Sequence, residues 1–155
     1  MECTVNFSNF ALTFLVFPSQ VLCKKNETIL SSYEWSFLLL SFLFGLGDFA
    51  GRVVGTFWPP YSRKFLVSGL MFRIPLAVVI LMNIFMDNTP WNSPFLISTM
   101  TFIYAITGGF ISASCCTSVP CRLENHEQEF GGFTVSLTIT AGITFGSVIS
   151  LMSFN

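Results

Sequence analysis

The sequence predicts an all-α, polytopic transmembrane bundle of about five spanning helices, and three observations carry that prediction. Only 10% of the 155 residues are charged while 52% are hydrophobic; an ordinary soluble domain has about 25% charged residues. The mean hydropathy is +0.69. The charges are also confined, with none from Asn88 to Cys121 and none after Glu129. A soluble fold of this size needs charged side chains to solvate its surface. Charge-free stretches this long instead match the ~20 apolar residues that cross a bilayer, and the 19 phenylalanines suit contact with lipid and between helices.

The first segment, 4–23, is uncharged but carries Asn6, Ser8 and Asn9, which make it the least apolar of the set. It lacks a basic leader and does not read as a secretory signal. The second, 33–57, is interrupted by Asp48 and Arg52 and stops at Pro59-Pro60, where proline cannot continue a helix. The third, 65–86, holds Arg73 followed by Pro75, which frees a backbone carbonyl and permits a kink. The fourth, 94–118, and the fifth, 131–153, flank a polar loop holding Arg122, Glu124, His126 and Glu127. The whole of 1–155 reads as one transmembrane domain.

Five spans put the two ends on opposite sides. Arg63, Lys64 and Arg122 then share the side of the N-terminus, against Lys24 and Lys25 on the other. The excess favours a cytoplasmic N-terminus. The acceptor triplet Asn26-Glu27-Thr28 falls in the opposite loop, as an external position for glycosylation requires.

Several classes are excluded or disfavoured. A net charge of −1 offers nothing to nucleic acid. There is no G-x-S-x-G, H-E-x-x-H or P-loop, so no enzyme is expected. Five cysteines without a C-x-x-C, and one histidine in a loop, read as packing and solvated residues; no metal and no cofactor are expected.

The informative constellation is Gly45-Leu46-Gly47-Asp48-Phe49-Ala50-Gly51-Arg52. Asp48 and Arg52 are four apart and share a helix face. A lone charge at bilayer depth costs at least ~2.5–3.5 kcal/mol on insertion scales, so such residues face a bundle interior or a watery cavity. The pair either lines a solute path or locks helices together, and both readings stand at this level. Arg73 either joins that path, paired with Asp48, or snorkels to the interface. The small, polar run Thr107–Ser114 is either a close-packed helix contact or a cavity wall, and Gly142 with Gly146 repeats the close-packing spacing.

Taken together, these pieces resemble the equilibrative nucleoside transporters over nearly the whole chain, as that family's helices seven to eleven. Phe44 to Arg52 is similar to its F-N-x-x-D-x-x-G-R pattern, Trp58-Pro59 to the Trp-Pro that follows, and Arg73 with Pro75 to the next arginine and proline. Phe17-Pro18, Thr107-Gly108-Gly109, Pro120, Arg122, Glu129 and Gly131-Gly132 also have counterparts. The resemblance implies the C-terminal half of a major-facilitator-like fold, with the N-terminal six-helix half absent. It implies facilitative alternating access for a nucleoside or nucleobase in the plasma membrane, a cytoplasmic N-terminus and an extracellular C-terminus. It places substrate binding on Asp48 and Arg52, with the arginine on sugar or base and the aspartate holding it or binding ribose. Pro18, Gly45, Arg73 and Thr107 become candidates for the pathway or a gate. The expected partners are the substrate, the lipid bilayer and either an N-terminal half or another copy. Gly45 and Gly108 depart from the family by replacing asparagines. The alternative class is a non-transporting scaffold that assembles with a full-length transporter.

Overall fold

The computed structural model describes residues 2–23, 33–57, 62–85, 94–124 and 127–153, and all of its regular structure is helical. Five helices follow in order: α1 Glu2–Cys23, α2 Tyr33–Phe57, α3 Arg63–Phe85, α4 Pro94–Cys121 and α5 Gln128–Ser153. The loops with Lys24, Lys25 and Asn26 and with Trp58-Pro59, and residue His126, lie outside the described residues.

Several helices run past the apolar limits read from the sequence. α3 begins at Arg63 and α5 at Gln128, and α4 continues to Cys121. The residues added to the starts of α3 and α5 include Arg63, Lys64, Gln128 and Glu129. Helical hydrogen bonding does not end where hydrocarbon ends, and the interfacial layers of a bilayer accept charged first turns. Pro75 does not end α3, which continues to Phe85.

Among the described residues four helices are long and apolar enough to cross a membrane: Leu38–Phe57, Arg63–Asn83, Phe95–Cys121 and Gln128–Met152. α1 packs along α5 and also touches α3 and α4. Its asparagines point inward, Asn6 at 0% and Asn9 at 2% exposure. Protein rather than lipid surrounds these polar side chains.

α4 is the centre of the bundle. Over its most apolar window 44% of the residues are buried, against 22% for each of the other three spans. α2 packs almost wholly on α4. Glycine makes that contact possible. A Cβ on Gly51 would lie 2.1 Å from the Ile106 carbonyl oxygen, and one on Gly109 would lie 2.2 Å from that of Asp48. The α1–α5 contact repeats the device, with Gly142 and Gly146 against the backbone of Phe7 and Ala11. Lipid offers no hydrophobic drive between helices, so close approach through small residues carries the association.

Hydroxyls on the outer faces stay satisfied without water. Thr134, Thr140 and Thr144 of α5 each donate to the carbonyl four residues back, at 2.8, 3.1 and 2.9 Å. One end of the bundle is tied by Glu2, whose Oε1 accepts from Arg63 Nε at 3.4 Å and Arg122 Nε at 3.1 Å. The start of α1, the start of α3 and the α4–α5 loop therefore meet at one end. Both arginines are solvated, so Glu2→Gln is expected to lower stability by less than about 1 kcal/mol. Unfolding in mixed micelles at low and high salt checks this, and a larger, salt-independent loss would contradict it.

Candidate functional site

Arg52 and Arg73 lie on two of the spanning helices and are accommodated in opposite ways. Arg73 is the eleventh residue of the twenty-one in Arg63–Asn83, ~15 Å from either end. On α2, Asp48 lies ~14 Å and Arg52 ~8 Å before the helix end at Phe57.

On α2, Arg52 Nε donates to Asp48 Oδ2 at 2.7 Å. The side chains are 46% and 29% exposed, respectively. At ~100° per residue, Gly47, Gly51 and Gly55 form one stripe that faces α4. Asp48 and Arg52 fall on one flank of this stripe and Val54 on the other. The carboxylate neighbours α4 at Gly109, whose Cβ would approach Asp48 Oδ1 to 3.0 Å. The ion pair thus borders the α2–α4 seam on a side that no other described helix covers. One bidentate-capable cation and one acceptor, held one turn apart, suit a ligand with hydroxyls and ring heteroatoms.

Arg73 is fully buried, at 0% exposure. Nη1 donates to the carbonyl oxygen of Asn9 at 3.3 Å and, at closer range, to Asn9 Oδ1. Nη2 donates to Thr13 Oγ1 at 3.1 Å and to the Tyr104 carbonyl oxygen at 3.3 Å. Its Cζ lies 4.1 Å from the centre of the Tyr104 ring, a cation–π contact. Asn9 Nδ2 in turn donates to the Gly108 carbonyl oxygen at 3.2 Å. This network joins α1, α3 and α4. Among the described residues no carboxylate stands within ion-pair distance of Arg73, so the expected pairing with Asp48 is not formed; neutral acceptors solvate the cation instead. Gly108 explains how it fits, because a Cβ there would come within 2.8 Å of Arg73 Nη2. Glycine at this position leaves the space the guanidinium fills.

The other candidates separate. Gly45 is exposed, and a Cβ there would meet nothing within 4 Å. Thr107 donates back to the carbonyl oxygens of Ile103 and Tyr104 at 3.1 and 3.0 Å. It lines an apolar groove between α2, α3 and α4 of about 400 Å³, with Gly51, Val54, Phe65 and Phe72. That groove is on the Val54 side of α2, away from the ion pair. Pro18 lies within α1 but its side chain is outside the described residues. Its neighbour Phe17 stacks on Phe44 of α2 at 4.0 Å and 26°.

Sequence reasoning missed Asn9, Thr13, Tyr104 and Glu2. The signal for the first two was present: they are four apart, on one face of an apolar helix, where isolated polar groups turn inward. Tyr104 carried no such signal. Among the described residues no cluster of three metal-ligating side chains occurs, and Cys3, Cys115, Cys116 and Cys121 are free.

Comparison with known proteins identifies the family. The family model of the nucleoside transporters matches residues 1–154. The chain is also similar to Protein BTN1 of Debaryomyces hansenii, with 27% identity over 136 residues. That match covers 88% of this chain and 31% of the relative, so the chain spans about a third of the curated relative's length. No solved structure matches it. With a model matching nearly every residue, and four apolar helices of spanning length, the chain is an integral membrane protein of the nucleoside transporter family.

Proposed function

We propose that this chain forms one wall of a facilitative path for nucleosides or nucleobases, with Asp48 and Arg52 as the substrate-contacting pair. The carrying observation is the part-exposed ion pair within a membrane-spanning helix, on the flank of the α2–α4 seam that no other described helix covers. Charges placed there are expensive against lipid and useful against a polar solute in a watery cavity. Transporter sites commonly lie near the midplane between two helical units. In this reading Arg52 contacts the sugar or base, and Asp48 orients the guanidinium and accepts from ribose. The opposite wall comes from an N-terminal half or from another copy. Arg73 acts as a positioning residue that holds α1, α3 and α4 in register behind the wall. The stacked Phe17–Phe44 pair, beside Pro18, is the place where α1 and α2 part during alternating access. The protein sits in the plasma membrane with its N-terminus cytoplasmic and its C-terminus outside, and no step requires a cofactor.

The test is uptake of radiolabelled uridine and adenosine into proteoliposomes holding this chain, with and without a six-helix partner half. Arg52→Ala removes hydrogen bonds from a charged donor worth ~1.5–3 kcal/mol, so uptake should fall about ten- to hundredfold. Asp48→Asn should fall less, because it keeps an acceptor. Uptake unchanged by both substitutions would sink the reading. The second reading, a non-transporting scaffold for a full-length transporter, is favoured by the same uncovered polar flank. It predicts co-purification with that partner, no uptake in either preparation, and loss of assembly in Arg52→Ala.

A further inference from the structure

The groove on the other side of α2 has a separate use. It runs along the first half of α3 from Phe65 to Phe72, a length of ~10 Å, starting at the amino end of that helix. Val54 closes one side, and Phe110 of α4 the other, with the Phe65 ring edge-on to Phe110 at 6.0 Å and 78°. Gly69 leaves one wall open; a Cβ there would touch Ile111 Cδ1 at 3.3 Å. Its outer rim is apolar and exposed, Phe65 at 53% and Phe72 at 59%. The hydroxyl of Thr107 is turned back onto its own helix, so the groove presents little to water. At the mouth, directly before Phe65, stand Arg63 and Lys64, both exposed.

We propose that this groove seats one acyl chain of an anionic phospholipid whose phosphate rests on Arg63 and Lys64. Two features select that occupant. The groove opens to the outside of a membrane bundle, where hydrocarbon is the solvent. The cations stand only at the end where a headgroup would lie, and arginine and lysine at a leaflet surface bind anionic lipid with ~1 kcal/mol each. Further protein is better matched to the opposite, polar flank. Arg63 reaches Glu2 through Nε, an exposed contact that leaves its terminal groups for phosphate.

Native mass spectrometry of the purified 155-residue chain, with phosphatidylglycerol and phosphatidylcholine at equal concentration, tests this. Phosphatidylglycerol should be retained roughly tenfold more strongly. Arg63→Gln with Lys64→Gln should bring it to the phosphatidylcholine level, and Gly69→Leu, which fills the groove, should reduce retention of both lipids. Glu2→Gln, which releases Arg63, should leave retention equal or higher. Equal retention of the two lipids by the unmodified chain would overturn the proposal. So would unchanged retention in Gly69→Leu, which would reduce the effect to surface charge, or a loss in Glu2→Gln matching that of the double variant. A photo-crosslinker at Phe72 should capture lipid in native membranes; capture of a polypeptide would assign the groove to a protein instead.

Discussion

Arg73→Leu is expected to destabilise the bundle by about 3 kcal/mol. Leucine removes the donor from Asn9 Oδ1, Thr13 Oγ1 and the Tyr104 carbonyl, acceptors that lie wholly or partly buried. Each bond from a charged donor contributes ~1.5–3 kcal/mol net. Replacing the cation by an apolar side chain also relieves its own desolvation, which offsets part of the loss. Arg73→Lys should recover about half, because an ammonium is a point charge and cannot span α1 and α4 while stacking on Tyr104. The measurement is detergent-induced unfolding followed by circular dichroism. A double-mutant cycle with Asn9→Leu should show coupling above ~1 kcal/mol. Stability equal to or greater than that of the unmodified chain in Arg73→Leu would contradict the network. Accessibility gives a second readout: a water-borne thiol reagent should label Arg52→Cys and spare Arg73→Cys.

Gly51→Val should do comparable damage for a different reason. Its Cβ would be 2.1 Å from the backbone oxygen of Ile106, and a backbone cannot yield as a side-chain tip can. Overpacking typically costs 1–3 kcal/mol; because α2 has almost no other neighbour than α4, the expected loss is about 3 kcal/mol, with α2 separating from the bundle. A disulfide cross-link between engineered cysteines on α2 and α4 reports this as lost yield. Gly45→Ala is the control. It meets nothing within 4 Å and should change stability by less than about 0.5 kcal/mol. Equal yields from Gly51→Val and Gly45→Ala would remove glycine packing as the basis of the α2–α4 contact.

Hydropathy and charge placement made the helices legible. Asn88 to Cys121 has no charge, and its length leaves few alternatives to a span. The pairing of Asp48 with Arg52 was also legible, since four residues on a helix is one turn. The glycines near them announced a close contact but not its partner. Gly45, Gly47 and Gly51 look alike in the sequence; only two of the three face α4. The fate of Arg73 was not legible at all. A single arginine at mid-span is compatible with a substrate contact, an ion pair or a snorkelling tail, and what distinguishes them lies on other helices.

The sequence by itself determined the solvent and the local structure: apolar content and helical period are properties of consecutive residues, and they dictate helices that cross a bilayer. It also determined which residues carry charge at depth. Tertiary structure alone decided where those charges look. Asn9, Thr13 and Tyr104 converge on Arg73 from 64, 60 and 31 residues away, a meeting that no local pattern encodes. The same packing left Asp48 and Arg52 uncovered, because the glycine stripe beside them, not the charged flank, is what fits against α4.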